Sequence, residues 1–176
     1  RDAVSGVASL AGGVLVRVDE LPVDERQVLH ERHLISKELA GLESSSGVRG
    51  GAAVFVGEGL GLMINEEDHL RLQAVRSGLE LESAMAAAAR LDTELGQRVP
   101  YSFHKEFGFL TACPTNTGTG MRASVLIHLP GLVLTKEIGK VLAGLQQMGL
   151  TYRGLYGEGS EVLGNFFQIS NQTTLG

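Results

Sequence analysis

The sequence predicts an α+β fold: a mostly antiparallel sheet flanked by helices. Three observations lead there. Short apolar runs with strand character recur at Gly13–Val18, Ala53–Val56, Leu60–Ile64 and Arg122–Leu129. Two longer stretches, Leu79–Leu95 and Leu132–Met148, repeat their apolar residues at helical spacing instead. The helices fall irregularly among the strands.

Taken in order, Gly13–Val18 reads as a strand and Asp24–His33 as a short helix with Asp24 as N-cap. The serine- and glycine-rich stretch Gly41–Gly51 reads as a loop. Ala53–Val56 and Leu60–Ile64 form two strands joined by the turn Gly57-Glu58-Gly59. Leu81, Met85, Ala88, Leu91 and Leu95 stripe one helix, with Gly96 as its C-cap. Phe107–Ala112 is strand-like. In Arg122–Leu129, Ala123, Val125, Ile127 and Leu129 face one way and Arg122, Ser124, Leu126 and His128 the other. An arginine on the more polar face marks the side where a site could lie. Leu134, Ile138, Val141, Leu142 and Leu145 stripe the helix Leu132–Met148, closed by Gly149. Short strands follow around Thr151–Tyr156 and Phe166–Ile169. No repeat or linker interrupts the chain, so residues 1–176 are expected to form one domain.

Composition narrows the function. The chain has 176 residues and a formal net charge of −5, which argues against a general nucleic-acid binder. No apolar run is long enough to span a bilayer, and no signal peptide opens the chain. The single Cys113 excludes an internal disulfide framework and an all-cysteine zinc site, and fits a reducing cytoplasm. Lysine occurs only at Lys37, Lys105, Lys136 and Lys140, and arginines outnumber it. Either genome composition or a need for rigid guanidinium forks on phosphate accounts for that bias. The opening Arg1-Asp2 suggests a piece of a longer protein. Gly57-Glu58-Gly59-Leu60-Gly61 and Gly157-Glu158-Gly159 match neither a GxGxxG nor a Walker A pattern. His30 and His33 have no second ligand pair to complete a metal site. Asn171-Gln172-Thr173 matches a glycosylation sequon, which carries no meaning in a cytoplasmic protein.

Three polar clusters interrupt apolar elements. Asn65-Glu66-Glu67-Asp68-His69-Leu70-Arg71 crowds three carboxylates together, a repulsion that a cation, a metal or a proton must relieve. Cys113-Pro114-Thr115-Asn116-Thr117-Gly118-Thr119-Gly120-Met121-Arg122 places a thiol beside a turn of small polar residues. Arg153-Gly154-Leu155-Tyr156-Gly157-Glu158-Gly159-Ser160-Glu161 is a glycine-laced loop with an arginine and two carboxylates. Each alone reads as a solvated turn, a buried cysteine or a surface loop.

Together, in this order, they resemble the signatures of the phosphagen (guanidino) kinase family: N-E-E-D-H-x-R, C-P-T-N-x-G-T followed by R-A-S-V, and a late R-G-x-x-x-E loop. The resemblance runs from about Glu25 to Gly176. His33-Leu34-Ile35-Ser36, Gly118–Val125, Tyr156–Glu161 and Gly164–Gln172 are most similar to the family's bacterial branch that acts on arginine in proteins. The resemblance implies a glutamine synthetase-like catalytic domain, incomplete at both ends. It implies phosphoryl transfer from Mg·ATP to a guanidinium, with ATP and Mg²⁺ as the cofactors and no metal bound directly by protein.

By the same resemblance, Glu67 and Glu158 clamp the acceptor guanidinium, Glu67 being the base. Cys113 lies beside the acceptor as an electrostatic partner. Arg71, Arg122 and Arg153 grip the ATP phosphates. Glu66 orients Mg²⁺ through water, and Asp68 supports the turn. His33 and Leu126 contact the adenine, and Asn116 and Gly118 support the phosphate-side turn. Ser160 and Glu161 contribute to the acceptor side. The family's upstream S-x-R-x-R segment has no match here. The resemblance further implies protein substrates bearing arginine, an activator protein, a heat-shock repressor, an ATP-dependent protease, a cytoplasmic location and a homo-oligomer. It implies neither nucleic acid nor membrane as a partner. A kinase of a free guanidino metabolite and a non-catalytic phosphoarginine-binding module are the alternatives. A cysteine hydrolase using Cys113 with His104 or His128 lacks a third orienting group.

Overall fold

The computed structural model describes residues 4, 6–42, 47–154 and 164–174. The chain divides into two compact units, Arg1–Phe103 with Leu110–Cys113, and His104–Phe109 with Pro114–Gly176. The passage between them runs through two short paired strands, β5 (Phe103–His104) and β6 (Gly108–Phe109), rather than through a glycine- or serine-rich linker.

In the first unit, β1 (Val14–Arg17), β2 (Ala53–Val56), β3 (Leu60–Ile64) and β4 (Leu70–Ala74) form an antiparallel meander in that order. Helices α1 (Val23–Glu31) and α2 (Lys37–Ala40) lie between β1 and β2, and α3 (Leu81–Gly96) follows β4. The pleat sends neighbouring side chains to opposite faces. Val54 and Met63 accordingly join Val18, Ile35, Leu39, Ala40 and Ala52 in one buried cluster. Phe55 and Leu62 join Val7, Leu10, Leu91 and Leu95 in the other. The meander is thus sandwiched between α2 on one side and α3 on the other. The expected strands at Ala53–Val56 and Leu60–Ile64 hold to the residue. Helix α1 starts at Val23, with Pro22 as N-cap, so Asp24 sits in the first turn instead of capping it. Helix α3 runs through Gly96 and ends on Gln97.

In the second unit, β7 (Ser124–His128), β8 (Leu150–Arg153) and β9 (Phe166–Asn171) form an antiparallel sheet of order β7-β9-β8. The expected helix Leu132–Met148 is two helices, α4 (Pro130–Leu134) and α5 (Ile138–Gln147). Between them Lys136 adopts a left-handed φ of 62°, which no continuous helix accommodates. The strand expected over Phe107–Ala112 is confined to Gly108–Phe109, and just beyond it the Leu110 N–H still bonds the Ser102 carbonyl (2.8 Å). On β7, Val125 and Ile127 are half-buried while Ser124, Leu126 and His128 are exposed, as the alternation requires.

Leu62 is fully buried between β3 and α3. Leu62→Ala is expected to cost about 2–5 kcal/mol in urea unfolding, the range for a cavity that its surroundings only partly fill. A second expectation concerns pH. Ser9 donates to Glu94 through both its N–H (2.8 Å) and its hydroxyl (2.9 Å), tying the 3-10 turn Ala8–Leu10 to α3. Those bonds hold the Glu94 carboxyl below its usual value of 4.5. A depressed carboxylate stabilises above its unfolded-state pKa, and that contribution is lost as pH falls. Thermal melting between pH 6 and pH 3 should therefore be less acid-sensitive in Glu94→Gln.

Candidate active site

The acidic turn links β3 to β4. Asn65 enters it at φ 56°, a left-handed conformation that asparagine tolerates better than other side chains. Its N–H donates to the His69 carbonyl (3.0 Å), closing the turn, and its amide reaches the Gly51 carbonyl (3.3 Å).

Glu66 follows, and its side chain is only 1 % exposed. A carboxylate taken this far from water needs partners for both oxygens. One oxygen accepts from the Ser36 hydroxyl (2.6 Å) and the Arg71 guanidinium (2.9 Å), the other from the Glu67 N–H. Arg49 donates to the Glu66 carbonyl (2.7 Å). Ser36 is itself the N-cap of α2, accepting from the Leu39 N–H (3.0 Å), so the helix start and the buried carboxylate share one hydroxyl. Glu67 points out, its side chain 49 % exposed, with Arg71 3.5 Å away. One arginine therefore bridges a buried and an exposed carboxylate. Glu66 acts within the protein on Arg71 and the Glu67 amide; a magnesium-bound water would have to share its oxygens with these donors.

Asp68 accepts from two consecutive amides, Ala112 N–H at 2.7 Å and Cys113 N–H at 3.3 Å. The Thr111 hydroxyl caps the Cys113 carbonyl at 2.6 Å. The half-buried Cys113 is thus carried to the acidic turn by its backbone. His33 is likewise tied in by its main chain. Gln73 of β4, two residues beyond Arg71 and on the same face, donates to the His33 carbonyl (3.2 Å). Its imidazole is held below the usual histidine value by partial desolvation and by the neighbouring His30. The first unit therefore brings together Glu66, Glu67, Asp68, Arg71 and Cys113, with His33 tethered to the same strand.

The second unit carries Arg122, Leu126, Arg153, Asn116 and Gly118. Leu126, Gln168 and Arg153 are register partners across β7, β9 and β8, which puts their side chains in one row on one sheet face. Gln168 also donates to the Ser124 hydroxyl (3.0 Å), and His128 stacks on Phe166 with ring centres 4.5 Å apart. Arg122 is exposed, two residues before β7. Gly118 is buried at φ 119°, a conformation needing glycine, and exchanges both backbone bonds with Phe109 (2.8 and 3.1 Å). Asn116 ends the short 3-10 turn Pro114–Asn116. Glu158, Ser160 and Glu161 lie outside the described residues.

Two supports went unread in the sequence. Ser36 caps the short helix Lys37–Ala40, with Gly41 as its left-handed stop, and a serine before a four-residue helix is a weak signal that names no buried carboxylate. Arg49 sits in a stretch that reads as plain loop.

The chain belongs to the ATP:guanido phosphotransferase family, whose C-terminal catalytic domain model matches residues 3–176. It is 50% identical over 162 residues to the protein-arginine kinases of Bacillus mycoides (strain KBAB4) and Bacillus cereus (strain AH187), covering 92% of this chain and 44% of each relative. The chain thus spans less than half the length of these curated relatives. Among solved structures, it resembles the duplicated taurocyamine kinase from Schistosoma mansoni with bound transition state analog components. That likeness has a TM-score of 0.82 at 27% identity, over 99% of this chain and 25% of that one. Lombricine kinase shares the fold, with a TM-score of 0.73 at 22% identity, over 97% of this chain and 51% of that one.

The Asp68 link separates geometry from charge. Asp68→Asn keeps an oxygen acceptor for the two amides and should stay within about 0.5 kcal/mol of wild type in denaturant unfolding. Asp68→Ala leaves both without their acceptor and should lose about 1–2 kcal/mol. Equal losses would show that the carboxylate charge, not the bonds, holds the Cys113 segment.

Proposed function

We propose that this chain is the catalytic core of a kinase that transfers the γ-phosphoryl group of Mg·ATP to arginine side chains of proteins. The observation that carries this reading is the 50% identity to protein-arginine kinases over 92% of the chain, with the acidic turn and both arginine-bearing segments inside the aligned domain.

The residues present suit the chemistry. A guanidinium stays protonated at physiological pH, so its nitrogen attacks phosphorus only if a base takes a proton as the new bond forms. Glu67 is the exposed carboxylate at the acidic turn and is assigned that proton, with Glu158 as the second arm of the clamp. Mg·ATP, when bound, supplies the phosphoryl group and an ion that offsets its charge. The N–P bond forms as the bond from phosphorus to the ADP oxygen breaks, and the proton passes to Glu67. Arg71, Arg122 and Arg153 offset phosphate charge, and Leu126 with His33 receives the adenine. Cys113 faces the acceptor as an electrostatic partner. Asn116 and Gly118 shape the turn that precedes Arg122. Among the described residues no group of three or more His, Cys, Asp or Glu stands together to hold a metal alone. Mg²⁺ is commonly held by substrate phosphates with few protein ligands, and Glu66 is assigned to orient it through water.

In this reading the phosphorylated arginine marks its protein for an ATP-dependent protease in cytoplasmic quality control under stress. An activator protein and a heat-shock repressor are partners, and the enzyme works as a homo-oligomer. Among the described residues no helix is long and apolar enough to cross a membrane.

The test uses the full-length protein with Mg·ATP, offered either free arginine or an arginine-rich unfolded protein. Acid-labile phosphate on the protein is expected. Phosphate on free arginine alone would establish the metabolite kinase, and none on either a binding module. Glu67→Gln should lower transfer by at least about 10²-fold while Mg·ATP affinity stays within about twofold. A near-normal rate would remove Glu67 as base.

A further inference from the structure

The sequon-like Asn171-Gln172-Thr173 has a different use in the fold. Arg122 stands before the first ladder residue of β7, so its backbone direction has to be fixed from elsewhere. Asn171, the last residue of β9, does this with its side chain. The Asn171 amide NH2 donates to the Met121 carbonyl (3.1 Å), and its carbonyl oxygen accepts from the Ala123 N–H (2.8 Å). Those two groups belong to the two peptide planes that flank Arg122. Between them they set its φ and ψ, and hence where its Cα–Cβ bond points. The second amide hydrogen goes to the Thr173 carbonyl (2.8 Å), so the Asn171 side chain uses both donors and its acceptor. The Asn171 N–H adds a weaker bond to the Ala123 carbonyl (3.4 Å).

The residues just beyond extend this hold to the preceding turn. Thr174 is buried and shares its hydroxyl proton between the carbonyls of Thr115 and Thr117, 3.0 Å from each. Its own carbonyl accepts from the Thr119 N–H (2.8 Å) and the Thr119 hydroxyl (2.5 Å). Residues 171–174 therefore stitch together both sides of the segment 115–123, and no other residue type offers the two donors and one acceptor of Asn171 at that length.

We propose that Asn171 is a positioning residue for Arg122: it aims the guanidinium at the nucleotide phosphates by fixing both adjoining peptide planes, with Thr174 anchoring the turn before it. The proposal rests on the reading of Arg122 as a phosphate ligand, and the experiment separates the two. Mg·ATP affinity is measured by calorimetry on the full-length protein as wild type, Arg122→Ala, Asn171→Ala and the double variant. Arg122→Ala is expected to weaken binding at least about tenfold, and Asn171→Ala about fivefold. Since Asn171 acts through Arg122, the double variant should match Arg122→Ala within about twofold.

Unchanged affinity in Arg122→Ala overturns the phosphate reading and the proposal with it. An effect of Arg122→Ala, combined with no effect of Asn171→Ala or with losses that multiply in the double variant, overturns the positioning role alone. If Asn171→Ala melts below the assay temperature, Asn171→Asp takes its place in the cycle. It keeps the acceptor for Ala123 and loses both donors.

Discussion

The Glu66 carboxylate is the interaction on which the candidate site depends. Burying an ionised group costs several kcal/mol unless partners replace its water, and partners that do so become hard to displace. Here the replacements are Ser36, Arg71 and the Glu67 N–H. One buried group therefore sets the start of α2, the direction of Arg71 and the backbone of Glu67. Such a pair is weak evidence for stability, since an apolar replacement of equal volume often serves as well. Its value lies in specificity: Arg71 and Glu67 are held in one arrangement next to a charge that cannot be left unpaired.

The same economy recurs in two segments that lack strand partners. Cys113 is placed by a carboxylate on its own N–H and that of its neighbour, and Arg122 by a carboxamide on the peptide planes around it. In each case a short polar side chain from elsewhere in the same unit takes over the backbone bonding that a strand would otherwise provide.

Much of this was legible in the sequence where local rules act without competition. β2 and β3 could be read to the residue because two short continuous apolar runs meet at a glycine turn. β4 escaped notice, although Leu70, Leu72 and Ala74 alternate, because Arg71 and Gln73 sit between them and the acidic run before it reads as solvated loop. The break between α4 and α5 carries no glycine or proline, so nothing local announces that Lys136 turns left-handed. Asp68 could be read as a support of the turn, but its partners lie 44 and 45 residues away, and no local pattern names them. Asn171 was hidden for the same reason, 48 residues from Ala123.

Those separations also bear on the order in which the region can assemble. The turn that carries Glu66 and Glu67 is closed by a bond between Asn65 and His69, four residues apart, while the Asp68–Ala112 bond closes a loop of 44. Chain entropy makes the longer closure costlier by about 2 kcal/mol, from the logarithm of the loop-length ratio. The acidic hairpin is therefore within reach of a nascent or partly unfolded chain. The bond that holds the Cys113 segment carries the larger closure cost, so it depends on the rest of the unit having already brought its two ends together.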